Sequence, residues 1–316
     1  MDMMHAPNDS IPSDAPLSAG DLRSQIREAL TDELTGQIQI AFQNGRTATL
    51  FAHRGKVRQI YIRNHRAPKP DWELLLDQFG EGVLNIQPMP ARVLAFKKIV
   101  LEEIKAPKPQ PAGTAQLKTM FDLAARNVAP TLFHIRWETA EGLALIAGRS
   151  IPLRRAVMLH QVGGGEETVD LNQLSAWEEA DCNVTMYQGD IKNPAWLEAH
   201  LNILFEWYCA HILKQYSLLT GMVMVRSVLR SVDSLAEKND WIVTTQNLEV
   251  TDSTLFTDPA AAGDAYREIL LSILDQIEPV VGNALAQNIL KQATESTRDS
   301  YKSIMEVYHL TGRAKP

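Results

Sequence analysis

The sequence predicts an α+β chain: two tandem units, each of helix, antiparallel meander and helix, followed by a C-terminal helical bundle. Three observations lead there. Short runs of alternating apolar residues are bounded by Asn44-Gly45 and Arg54-Gly55, the punctuation of hairpins. The stretches between them place apolar residues every three or four positions, the period of an amphipathic helix. The same succession of helix and strands returns about 95 positions later, and the final third is mostly helical in period.

The elements follow in order. Residues 1–19, opening "MDMMHAPNDSIPSDAP", have neither a basic nor an apolar leader region and are expected to be a disordered arm rich in Pro, Asp and Ser. "DLRSQIREAL" (21–30) is expected to be a helix, with Leu22, Ile26 and Leu30 on one face. Ile38, Ile40 and Phe42 alternate with polar neighbours in a first strand; Asn44-Gly45 turns the chain, and Arg54-Gly55 turns it again into a strand over 56–63. A helix opened by Pro70, a strand "GVLNIQP" and a helix over 91–105 complete a first domain at 20–105. "APKPQPAGT" (106–114) has no period and many prolines, and is expected to be a semi-rigid spacer.

A shift of 95 residues brings Leu22 onto Leu117, Ile26 onto Phe121, and Ile38, Ile40 and Phe42 onto Phe133, Ile135 and Trp137. "LFAHRG" (50–55) then meets "LIAGRS" (145–150). Later the offset becomes 100, with Leu84 and Ile86 meeting Val184 and Met186, and the loop "QVGGGEET" (161–168) accounts for the drift. A diverged second copy is thus expected over 115–220, closing on the strongly apolar stretch 196–220, which should pack between that copy and the bundle. In 221–316, a helix after Gly221, an extended segment "WIVTTQNLEV" and three helical stretches broken near Pro279 and at 295–297 form the helical domain.

Composition narrows the function. The net charge of −7 argues against general nucleic-acid binding. Two lone cysteines, Cys182 and Cys209, suit a reducing cytoplasm and rule out a CxxC site. No apolar run is long enough to span a bilayer, so no membrane insertion is expected. HExxH, GxSxG, Walker A and GxGxxG motifs are all missing, so no enzymatic activity and no cofactor are expected. His200, Cys209 and His211 share an apolar helix and are read as core or interface groups rather than metal ligands.

The first copy resembles the PATAN domain of PatA-like bacterial response regulators. The resemblance rests on "LTGQIQI" (34–40), the Gly55 turn in "LFAHRGKVRQIYI", the helix "DWELLLDQF", the strand "GVLNIQP" and the helix "VLAFKKIVLEEI". It covers 30–105 well and 131–215 weakly. The chain departs from that family in lacking a phosphoacceptor receiver domain and in having Ser150 where the turn glycine is expected. The resemblance implies a non-catalytic bacterial cytoplasmic signalling adaptor or scaffold, of the two-component, motility or polarity type.

The charge is uneven. Between Glu33 and Asp71 there is no acid, while Arg46, Arg54, Lys56, Arg58, Arg63, Arg66 and Lys69 all fall there. Gln59, Tyr61 and Arg63 alternate with Ile60 and Ile62, so one face of this strand is expected to be buried and the other solvated. Three readings are open: edge protection by cations, an acidic protein partner, or a nucleic-acid or phospholipid surface. The partner-binding candidates are Arg54, Lys56, Arg58, Tyr61 and Arg63. The second function class, a nucleic-acid-associated regulator, would use the same basic hairpin at 46–69. Self-association is a further partner expectation.

Overall fold

The alternating runs fold as antiparallel strands and the longer periods as helices, in a computed structural model that describes residues 15–310 apart from 64, 104–106, 150, 152, 161–165, 170, 172, 174–180, 190, 247 and 298. The chain is α+β, with a helical C-terminal region. It divides into two compact units, Met1–Met89 and Pro90–Pro316.

The first unit runs α1 (Ala19–Thr31), β1 (Gly36–Phe42), β2 (Thr47–His53), β3 (Lys56–Ile62), β4 (His65–Arg66), α2 (Trp72–Phe79) and β5 (Gly82–Pro88). Its sheet has the order β4-β3-β2-β1-β5. Ile38 and Ile40 of β1 oppose Leu50 and Ala48 on one side and Ile86 and Leu84 on the other. These residues meet Leu22 and Ile26 of α1 and Leu75 and Leu76 of α2 in one core. Ser18 caps α1, and Leu17 pairs with Gly82, so the last part of the expected arm belongs to the fold. The Asp71 side chain caps α2, and Pro70 stands just outside it rather than opening it.

The second unit begins with α3 (Ala91–Glu102), the helix the sequence placed at the end of the first domain. It continues β6 (Gln110–Gly113), α4 (Thr114–Ala124), β7 (Thr131–Arg136), β8 (Ala140–Ile146), β9 (Arg154–His160), β10 (Glu166–Val169) and β11 (Asp181–Gln188). The sheet order is β10-β9-β8-β7-β11-β6. The expected spacer is therefore partly strand. Pro111 lies opposite Asn183 in β6, an edge strand, where a missing N–H is tolerated. The "QVGGGEET" loop lies outside the described residues at 161–165, and its last residues enter β10.

Repetition is visible in strand order. β3-β2-β1-β5 and β9-β8-β7-β11 are arranged alike, and Ile135 opposes Val184 as Ile40 opposes Leu84. The frame of 95 does not survive β8, however. Phe133 faces Ala144, whereas Ile38 faces Leu50, because the β7–β8 connection is one residue shorter. A slip of one residue exchanges the two faces of a strand. Ala144 and Ile146 thus join the core with α4, while Leu145, the apparent match of Leu50, turns to the opposite face.

That opposite face is covered as well. Leu132, Leu143, Leu145 and Val157 are buried on it, and the charged groups there reach helices: Lys97 of α3 pairs with Glu141 at 3.2 Å, and Arg155 pairs at 2.6 Å with Glu206 of α5 (Pro194–Thr220). After α5 come α6 (Met222–Lys238), a hairpin of β12 (Val243–Gln246) and β13 (Glu249–Asp252), α7 (Pro259–Val281), α8 (Asn283–Ser296) and α9 (Asp299–Val307). α7 runs through Pro279 and ends at Gly282, with φ 85°, three residues beyond the expected break. Proline removes an N–H and clashes one turn back, yet so near a helix end little backbone lies beyond it to disrupt.

Phe205 stacks on Tyr266 at 4.4 Å, and the Tyr208 hydroxyl donates to Thr294. Gly282 therefore lies sixteen residues beyond the level of Phe205 and twelve from that of Tyr208. At 1.5 Å per residue both counts place it at the level of Gly221; in the opposite sense they disagree by more than about 10 Å. α5 to α8 thus form an up-down-up-down bundle with two single-glycine corners at one end. α5 is buried on nearly every side, between the sheet and the other helices, as its composition requires.

Candidate interaction site

The basic hairpin is held by its turn. Arg54 and Gly55 have φ of 47° and 71° between the paired residues His53 and Lys56, the two left-handed positions of a type I′ turn. A Cβ on Gly55 would lie 2.2 Å from the Leu30 carbonyl oxygen, so only glycine fits. The Arg54 amide donates to the Thr35 hydroxyl at 3.0 Å. In the second unit a glycine with positive φ stands near this place at Gly148, not at position 150. Its φ is 84°, and a Cβ there would lie 2.7 Å from the Asn127 oxygen, just past α4. The upstream slip of one moves the counterpart of Gly55 from 150 to 149, so Gly148 stands one residue short of it.

The five candidate residues separate. Arg54, Lys56 and Arg63 are exposed, and Arg63 also has positive φ, 49°. Arg58 is half-buried as the extra residue of a β-bulge between Phe51 and Ala52 on the partner strand. Tyr61 is 1 % exposed and is not a surface group: its ring meets Phe51 edge-on at 5.3 Å and its hydroxyl donates to Gln59, itself buried. The face expected to be solvated is thus buried at Gln59 and Tyr61. An aromatic diagonal across β2 and β3 makes it apolar enough, a signal present in Phe51 and Tyr61 but outweighed in the sequence by the cations around them. Arg46 stacks its guanidinium 4.7 Å over Phe79.

Sequence reasoning did not find a buried polar cluster in the second unit. The Asp252 carboxylate accepts from the Thr254 amide and hydroxyl and from Tyr266. Glu206 accepts from the Asp252 amide at 3.2 Å and pairs with Arg155. Lys98 donates to Glu198 at 2.6 Å. Burial pushes Glu206 up to about 7 against the pull of Arg155, and burial also raises Asp252. Both Asp252 oxygens accept from protein donors, and Glu206 reaches the Asp252 amide and Arg155, so these carboxylates pin the β12–β13 hairpin and the sheet to α5. The neighbouring recess, lined by Arg92, Lys98, Arg155, Asn202 and Tyr266 among others, holds about 40 Å³ of space for water centres. That suffices for a few waters, far below the roughly 300–1,000 Å³ of a ligand pocket.

His200 and His211 share a helix face but stand about 16 Å apart along its axis, too far to bind one ion. His200 bonds the Trp196 carbonyl through Nδ1 at 2.7 Å, and Cys209 is buried. Among the described residues no group of three His, Cys, Asp or Glu is placed to hold a metal, and no helix is long and apolar enough to cross a membrane. No family model, curated protein or solved structure matches the chain. The likeness to PATAN domains therefore rests on the motifs quoted above.

Proposed function

We propose that the protein is a non-catalytic adaptor of a bacterial cytoplasmic signalling pathway, which binds an acidic protein partner through the β2–β3 hairpin. The observation that carries this reading is three exposed cations, Arg54 and Lys56 at the rigid β2–β3 turn and Arg63 just past the far end of β3, in a segment with no acid from 34 to 70. Charge at such a rim acts mainly on encounter rate and partner choice. The PATAN resemblance points the same way. A nucleic-acid reading has less support, since Phe51 and Tyr61, the aromatics that could stack on bases, are buried.

The test is Arg54→Glu, Lys56→Glu and Arg63→Glu together, leaving the half-buried Arg58 in place. Surface charges contribute roughly 0–1 kcal/mol each, so the variant should melt within a few degrees of the parent. It should lose the acidic protein that the parent retains from its native host at low salt. A variant that folds and retains every partner would reduce the cations to edge protection. Steeply salt-dependent binding of mixed-sequence DNA by the parent would favour the nucleic-acid reading.

A further inference from the structure

Eleven large apolar side chains are strongly exposed among the described residues, and six of them sit at one end of the bundle. Leu218, Leu219, Met222 and Val223 flank the Gly221 corner, and Val280 and Leu285 flank the Gly282 corner, with exposures from 38 % to 77 %. Scattered apolar residues on a surface are ordinary, but a cluster marks a contact. The two corners also lack charge. No Asp, Glu, Lys or Arg occurs in 215–225 or in 279–290. At the chain's 22 % charged content these 23 residues would carry about five charges, and charge depletion is the mark of an interface core.

We infer that this end of the bundle is where two copies of the chain meet, end to end about a two-fold axis. Three features select a second copy as the occupant. A charged partner finds nothing here to complement. An anionic membrane would call for a basic surround, but within seven residues of either glycine the charges balance, Lys214 and Arg226 against Asp275 and Glu278. Copies carrying −7 each repel over most of their surface, and this end lets them touch without opposing like charges. The same patch serves on both sides of an isologous contact.

The contact is small. Four helices with axes 8–10 Å apart present an end on the order of 400 Å², about half the roughly 800 Å² per partner of a stable complex. The dimer is therefore weak, in the micromolar range or above.

Sedimentation velocity of the full chain from about 1 to 500 μM spans the micromolar range. The expected result is a concentration-dependent shift from monomer to dimer, made stronger by added salt, which screens the repulsion. Leu218→Glu with Val223→Glu should weaken association at least tenfold while leaving melting temperature and circular dichroism unchanged, because both side chains are exposed. Leu285→Lys, on the other corner, should weaken it several-fold alone. A parent that stays monomeric throughout overturns the inference, as does a folded double variant that dimerises like the parent. Growth beyond a dimer overturns the two-fold arrangement. Binding of phosphatidylcholine–phosphatidylglycerol vesicles by a monomeric parent, lost in the double variant, would assign the end to lipid instead.

Discussion

Arg54 and Arg63 hold backbone conformations that L-residues avoid, at a cost of roughly 1–2 kcal/mol each. Glycine or asparagine would fit either place better. Both are exposed cations of the proposed binding edge, so backbone strain and proposed function coincide at these positions. Arg54→Gly should therefore raise stability by about 0.5–1 kcal/mol in urea titrations while weakening partner capture; an unchanged or lowered midpoint would remove the strain argument. Gly55→Ala should act oppositely. The new Cβ meets the Leu30 backbone at a positive φ, and a loss of at least about 2 kcal/mol is expected by the same titration.

At the scale of elements, a half-buried ion pair joins the sheet to α3 and a buried one joins it to α5, and they respond to pH in opposite senses. Burial raises the Glu141 carboxyl, but the His134 hydrogen bond and the Lys97 ammonium outweigh it and bring it down to about 2 from 4.5. Its stabilisation is complete above about pH 4.5 and is lost as pH falls toward 2. Glu206 is raised from 4.5 to about 7, facing Arg155 of β9 and Asp252 of β13. Its contribution is complete below about pH 4.5 and is lost as pH rises through 7. Urea midpoints measured from pH 5 to 8 should therefore decline in the parent and decline less in Glu206→Gln. Equal slopes would show that Glu206 does not titrate in this range. Within α5 itself, Leu204→Ala leaves a cavity on a helix packed on every side, and a loss of about 2–5 kcal/mol is expected.

For the whole molecule, the long central helix makes the second unit hard to open. Lys214, Arg226 and Arg230 are exposed, yet the backbone beneath them is helical, and a protease needs it unfolded. Limited subtilisin digestion should leave 200–215 uncut to late times; early cleavage there would contradict the packing of α5. The repeated strand order shows one topology used twice, with the second copy closed on its outer face by helices.

Periodicity and turn chemistry act over a few residues, and what depends on them can be read along the chain. The longer helices and the strands of the two meanders, the Asn44-Gly45 and Arg54-Gly55 turns, the match of Leu84 and Ile86 to Val184 and Met186 and the buried character of 196–220 were legible there. Tertiary structure alone decided what depends on distant residues meeting. It turned Leu145 away from its apparent match, buried Tyr61 behind Phe51 and made part of a proline-rich spacer into an edge strand. It also brought Arg155, Glu206 and Asp252 together from three elements, and placed two uncharged corners some sixty residues apart in sequence at one end of a bundle. Side-chain face, burial and proximity are set by register and helix direction, and a change of one residue in a loop reverses them.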